Sequence, residues 1–513
     1  MLRGRGLRRR ALIALSLAPL AACQATAPER AEFADPPAMD RTLAQAGASS
    51  RAGWPEENWW RRFRNAELDR VVDKALADSP GLHKAADRLR QTEAVSEVEG
   101  ARLLPLLDFD MGMRQTRIPT HGVVASYNRA LAGTERTMAF INPLSFRYEF
   151  DFWGKNRAAL DAALGETAAQ EAEYAQTRLL LSAGVARAYF RGRAAARQLA
   201  IAQAMTKLRR ELVAIAQNRF RTGVDTQDAI AQATAEVEAA IKREAGASAL
   251  LAFQQDLLAR LMGEGPDAAR DLFAGKHLVA SVRLAPPAKL PVEMLAHRPD
   301  LSAAMHRAEA AAERIHAAKA EFLPSIDLVG FAGLEASRNS TQISELGKFL
   351  FRSSAFSYAV TPGFHLPIFQ GGRLSGRLEG RRAEYDEAVD SYNETLLAAA
   401  QQVADALANV KQTRTALDAQ NRLVAARRTE LDMARSRWRN GIRDRREIVL
   451  LALGVLDQSY AQAALEGDNQ AATVDLFQAL GGGYTEGPMQ APINPEKDNI
   501  TPVVDVIQSL GGG

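Results

Sequence analysis

A single cysteine, Cys23, stands in 513 residues. That excludes an internal disulfide and any metal site built on paired thiolates. Histidine is thin as well. The seven are scattered, none lies four residues from another, and a helical two-histidine clip is therefore absent. Aromatic residues make up 6% of a chain that is 47% hydrophobic, with alanine filling much of the difference. Such a composition suits close helix packing better than a bulky globular core. No Ser/His/Asp set, phosphate-cradling glycine loop or metal-ligand cluster is legible, so neither an enzyme nor a cofactor is expected. A basic excess is missing too. The formal charge of +3 rests on Arg3, Arg5, Arg8, Arg9 and Arg10; without them 59 basic residues face 61 acidic ones. No nucleic-acid footprint remains.

Those five arginines open a tripartite leader over residues 1–22. The apolar run Ala11–Leu20 that follows is too short to span a bilayer. Leu20-Ala21-Ala22-Cys23 then resembles a bacterial lipobox, in which the cysteine becomes the lipidated first residue. Gln24, rather than Asp, resembles sorting to the outer membrane. Residues 23–53, with Pro28, Pro36 and Pro37, read as a lipidated tether and not a packed segment.

The remainder is a tandem duplication at an offset near 218. Leu104-Pro105 meets Leu323-Pro324, Phe152-Trp153-Gly154 meets Phe369-Gln370-Gly371, and Arg219-Phe220-Arg221-Thr222-Gly223 meets Arg437-Trp438-Arg439-Asn440-Gly441. Matches in Pro and Gly punctuation, in order, are not explained by two alanine-rich halves. The expected units are a first repeat 54–263, an inter-repeat segment 264–290, a second repeat 291–483 and a tail 484–513. Each repeat reads as a helix of about 22 residues opened by Pro80 or Pro299, two strands, one very long helix, a glycine turn and a returning helix.

The long helix of the second repeat carries the strongest signal. Val389, Leu396, Val403, Val410, Leu417, Val424, Leu431 and Trp438 keep a seven-residue step. A second register, Tyr385, Tyr392, Ala399 and Ala406, turns polar at Thr413, Gln420 and Arg427. No proline occurs between Pro367 and Pro488, so a helix on the order of 100 Å can run from about Leu374 to Trp438.

Strands are expected near 105–116, 143–153, 325–335 and 355–368, with apolar and polar residues alternating. Periodicity alone also fits a soluble sheet module. The lipobox and the aromatic apolar face favour a tilted membrane strand. In lipid no edge stays open, and four strands cannot close where the smallest membrane barrels use about eight. The membrane reading therefore requires several chains to share one barrel.

At this point the parts resemble a known family. Trp59-Trp60-Arg61-Arg62-Phe63, Arg298-Pro299-Asp300-Leu301, Ala317-Ala318-Lys319-Ala320-Glu321-Phe322-Leu323-Pro324 and Ala479-Leu480-Gly481-Gly482-Gly483 look like signatures of the TolC-like outer-membrane factors, in the lipidated branch serving RND-type tripartite drug pumps. The resemblance implies a mainly α fold with a membrane β-barrel. A homotrimer would form a trimeric α-barrel/β-barrel tunnel set in outer-membrane lipid and crossing the periplasm, and residues 264–290 would lie at its equator. It implies efflux of drugs or other small molecules, with a periplasmic adaptor and an inner-membrane RND-type transporter as partners.

The hairpin tips at Gly223 and Gly441 would then meet the adaptor and gate the channel. Arg443 and Glu447 match the family's basic residue and carboxylate after the second tip. Leu450 stands where many members have an aspartate, which leaves two readings open: a mixed gate, with Glu447 held by Arg443 or by Arg445 and Arg446 beside an apolar ring at Leu450, and a solvated helix start over Asp444-Arg445-Arg446-Glu447. Two alternatives remain open: an exit duct for protein secretion, and a periplasmic coiled-coil adaptor or scaffold lipoprotein.

Overall fold

The computed structural model describes residues 31–46, 53–274, 282, 294, 296–338, 348–442 and 444–485. The leader, Cys23 and Arg443 lie outside the described residues.

The chain begins with α1 (Asp40–Ala46), a short 3-10 turn Trp59–Phe63, α2 (Ala66–Asp78) and α3 (Pro80–Ala101). Then come β1 (Leu106–Arg117), a short α4 (Val123–Tyr127), β2 (Glu135–Phe150), the long α5 (Lys155–Arg221) and the returning α6 (Gln227–Leu261). The second half runs α7 (Pro299–Ala320), β3 (Ser325–Arg338), β4 (Phe356–His365), α8 (Arg373–Arg439) and α9 (Arg445–Ala479). The duplication is visible in the lengths. α3 and α7 have 22 residues each, α5 and α8 have 67, and α6 and α9 have 35. Proline opens both 22-residue helices, where its missing N–H costs nothing.

α8 buries the seam that its heptads mark. Val389, Leu396, Val403, Val424 and Leu431 are buried, Val410 and Leu417 half-buried, and Trp438 is exposed. The second register stays against α9 at its first two polar positions and reaches solvent only at Arg427. Thr413 is buried and accepts from Asn469 Nδ2 at 3.1 Å, while Gln420 Nε2 donates to the Gln458 carbonyl at 2.8 Å. Both partners lie on α9, so the apolar seam passes into a polar one against the returning helix. α9 is itself apolar and long enough to cross a bilayer, yet it is packed along α5 and α8.

Where the hairpins meet the upper helices, an aromatic core joins both repeats. Trp59 stacks on Phe477 (5.1 Å between centroids) and Phe63 packs against Phe190 (4.7 Å). Trp59, Trp60 and Phe63 are fully buried. The turn thus wedges between α5 and α9, and Asn65 caps α2 behind it by accepting from Glu67 and Leu68 N–H.

The tether expectation fails for its described part. From Ala31 to Ala46 the segment lies packed along α8. Ala31 N–H donates to Asp386 (3.0 Å), Ala34 N–H to Asn393 (2.8 Å), Phe33 meets Tyr392 edge-on, and Met39 and Leu43 enter the core with Leu396 and Val403. Proline and alanine content suggested a free linker. The few apolar residues among them decide the outcome, because α8 offers a groove for them.

The four strands form one antiparallel sheet in chain order, β1-β2-β3-β4. β2 starts eight residues before the expected 143, at Glu135. Pro143 looks like a boundary in the sequence, but it sits at a bulge between Ile141 and Leu144 where the register to β3 shifts. Gly333 faces that bulge, and a Cβ there would stand 2.3 Å from the Ile141 carbonyl oxygen. Residues opposite one another share a face. Met111, Ile141, Leu334 and Phe356 form one such row and Leu107, Phe146, Gly330 and Val360 another, so the apolar sets of all four strands lie on one side. Phe109, Met111, Tyr358 and Phe364 on that side are at least 63% exposed, which leaves much of it as apolar surface open among the described residues.

Candidate functional site

The two hairpin tips are built alike. Each long helix ends on a glycine in the left-handed region, Gly223 (φ +71°) and Gly441 (φ +73°). Gly223 N–H donates to the Phe220 carbonyl (3.0 Å) and Val224 N–H to that of Arg219 (2.9 Å). Gly441 and Ile442 repeat this on Trp438 (2.8 Å) and Arg437 (2.9 Å). This double bond pattern satisfies the last carbonyls of both helices and reverses the chain. It leaves Val224 and Ile442 at the apices, 61% and 71% exposed.

Polar bonds join one tip to the other. Asp444 caps α9 by accepting from Arg446 N–H (3.2 Å). It also accepts from Arg219 Nη1 of α5 at 3.4 Å, while Arg219 Nε holds Asp225 of the first tip at 2.9 Å. Hydrogen bonding to Asp225, with the Asp444 charge adding to it, raises the Arg219 pKa further above its usual range. Beside them Arg445 donates to Glu211 of α5 (2.8 Å) and lies over the Trp438 ring. Farther from the tip Arg243 of α6 pairs with Asp457 (2.8 Å), and Arg187 of α5 with Asp475 (2.6 Å).

Of the residues expected at an aperture, Gly441, Glu447 and Leu450 stand on one tip, and the Gly223 tip is held beside it. Glu447 is half-buried in the first turn of α9. Leu450, 45% exposed, lines a groove of about 270 Å³ with Met205, Arg209, Glu236, Leu453 and Asp457. Sequence reasoning missed Arg219, Asp225 and Glu211. Arg219 and Glu211 meet Asp444 and Arg445 more than 200 positions away, and Asp225 matters only through Arg219, so nothing in local spacing marks them.

At the other end of the helices, the sheet side opposite the apolar one opens on a concave groove of about 930 Å³, lined with mixed charges such as Glu99, Arg102, Arg147, Glu149, Arg314 and Arg377. A second groove of about 560 Å³ shares Glu166 and Arg314 with it. Together they form a charged strip along one side of the helical wall. Arg314 pairs there with Glu166 at 3.1 Å. Among the described residues no group of His, Cys, Asp and Glu could hold a metal ion.

Comparison with known proteins agrees with this architecture. The family model described as "Outer membrane efflux protein" matches residues 71–264 and 290–482, one match per repeat. The multidrug resistance outer membrane protein MdtP of Escherichia coli (strain K12) is 28% identical over 447 residues, covering 85% of this chain and 88% of MdtP. The pyoverdine export outer membrane protein OpmQ of Pseudomonas putida is 29% identical over 473 residues, covering 92% and 97%. Among solved structures, the outer membrane protein VceC of Vibrio cholerae superimposes with a TM-score of 0.72 at 29% identity, over 84% of this chain and all of VceC. The MtrE outer membrane channel of Neisseria gonorrhoeae, in its open state, gives 0.70 at 25% identity, over 91% and 99%.

Proposed function

The chain belongs to the outer membrane efflux protein family, and from that membership we propose that it is the outer-membrane channel of a tripartite pump exporting drugs or other small molecules. One observation carries the reading. A four-stranded sheet, apolar on one face and open at both edges, is joined in one chain to two helices of 67 residues, each on the order of 100 Å long. The sheet cannot stand in lipid unless its edges are paired. Three copies, β1 of one against β4 of the next, supply the pairing and close a barrel, and the helices then reach across a periplasm. The energy comes from an inner-membrane transporter of the RND type coupled through a periplasmic adaptor. Names such as multidrug resistance protein and pyoverdine exporter among the relatives favour small solutes over protein secretion as cargo.

The tips meet the adaptor, with Val224 and Ile442 as apolar apices beside Gly223 and Gly441. Arg443, Glu447 and Leu450 line the aperture, and Leu450 makes it less acidic than a ring of aspartates. Cys23 carries the lipid. Chain length supports that anchor: Ala31 is fixed at Asp386, about 20 Å along α8 from its sheet end, and the eight residues back to Cys23 span up to roughly 26 Å when extended. Acylation seen in metabolic labelling should disappear in Cys23→Ser.

Membrane fractionation with unboiled gel migration tests the central reading. A heat-labile trimer in the outer membrane is expected, and a soluble or inner-membrane monomer would overturn it.

A further inference from the structure

The hairpin tips hold more positive charge than their ion pairs use. Within eight residues of Gly223 and Gly441 each chain has eight basic residues and four acidic ones. Ion pairs occupy part of this set. Arg219 takes Asp225 and Asp444, Arg445 reaches Glu211, and Arg435 pairs with Asp432 at 3.2 Å. Arg437, Arg439 and Arg446 are exposed and meet no acidic side chain among the described residues. Arg221 is exposed too, and its guanidinium meets only the Asn218 amide oxygen, at 3.3 Å. Arg443, between Ile442 and Asp444, is a further basic residue. Against these stand Asp228, in the first turn of α6, and the half-buried Glu447. Helix ends account for only part of the excess. A helix dipole favours cations in the last turn, which covers Arg437 and Arg439. It favours acids in the first turn, yet Arg445 and Arg446 open α9. Nor does pairing between copies cancel the excess, because every copy brings the same count.

We propose that this cationic rim makes the periplasmic mouth anion-selective, so that the channel takes small solutes of net negative charge. The inference rests on the channel reading, which brings three copies of both tips to one aperture. Fixed charges of one sign around a low-dielectric entry concentrate the opposite sign and repel their own. The free arginines carry the preference, since the field of a paired guanidinium is offset by its acid. Arg437 and Arg439 lie within about 6 Å of Gly441 along the helix axis, inside the Debye length of about 8 Å at physiological salt. Carboxylate, sulfate or phosphate groups on a solute find guanidinium forks there that match their oxygens.

The test is the zero-current potential of the full-length trimer in planar bilayers across a KCl gradient at low salt. Wild type should pass chloride over potassium by about threefold. The preference should fade as salt approaches about 1 M, where the Debye length is about 3 Å. Arg437→Gln, Arg439→Gln and Arg446→Gln together keep the glycine turn and the Arg219–Asp444 contact. That variant should bring the ratio to about one or below. The matching Arg→Lys variant should keep the preference. A wild type that favours potassium or neither ion, or an unchanged ratio in the Gln variant, would overturn the proposal. If the Gln variant does not assemble, Arg446→Gln alone decides, by a partial fall in the ratio or none. A trimer that conducts no ions defeats the channel reading itself. Conduction without chloride preference defeats only this inference.

Discussion

Arg219 of the first hairpin and Asp444 of the second face each other across 3.4 Å, and Arg219 holds Asp225 of its own tip at the same time. One cation thus joins the two tips of a chain. Arg219→Gln, or Asp444→Asn, which keeps a capping side chain at α9, should raise single-channel conductance in planar bilayers. The gap between variant and wild type should narrow at about 1 M salt, where the Debye length falls to about 3 Å and exposed pairs are screened. Equal conductance at low salt would remove this contact from tip closure.

Glu447→Ala combined with Leu450→Ala tests the aperture itself. Trimming a half-buried carboxylate and an apolar side chain at one tip should increase conductance without lowering the amount of trimer. Unchanged conductance would place the constriction elsewhere.

The Arg298 guanidinium, 3% exposed, donates to the Ala479 carbonyl (2.7 Å), to both oxygens of Asp300 (3.0 and 2.6 Å) and to Gln402 (2.8 Å). It therefore ties the end of α9 to α7 and α8. Arg298→Ala leaves the buried Ala479 carbonyl and the half-buried Asp300 without their donor and should cost about 3 kcal/mol. The measurement is the temperature at which trimer dissociates, which should fall.

Two glycine substitutions separate backbone strain from lack of space. Gly223 has φ +71° and open space around a would-be Cβ, so Gly223→Ala should cost about 1–2 kcal/mol and still yield trimer. At Gly481, with φ +78°, a Cβ would lie 1.7 Å from the His297 carbonyl oxygen. Gly481→Ala should lose assembled protein, as read from trimer yield on unboiled gels.

Burial pushes the Tyr189 phenol well above its ordinary range, with the Glu67 carboxylate it bonds at 2.7 Å acting in the same direction. A raised phenol pKa means that the folded state retains a proton the unfolded chain releases. This contribution is complete below the ordinary tyrosine pKa of about 10 and is lost as pH climbs from there towards the folded value. Tyr189→Phe should be less stable than wild type at neutral pH, with the difference shrinking above about pH 10 in urea titrations at several pH values.

Much of this was legible because the chain repeats itself. Proline at 80 and 299, glycine at 223 and 441, and heptads from Val389 to Leu431 set the helix boundaries through local rules: a missing N–H, a left-handed residue, a period near 3.5. β2 was half hidden because Pro143 reads as a break unless its bulge is known, and a bulge is a property of the pair of strands. The segment from Ala31 to Ala46 read as a tether because its few apolar residues mean nothing until α8 is there to receive them.

The sequence by itself determined the element order, the duplication and one-sided apolar strands, each the product of short-range periodicity and turn chemistry. Only the tertiary structure decided which charges meet. Arg219 finds Asp444 and Arg445 finds Glu211, because helix packing fixes distances between residues that chain connectivity leaves free.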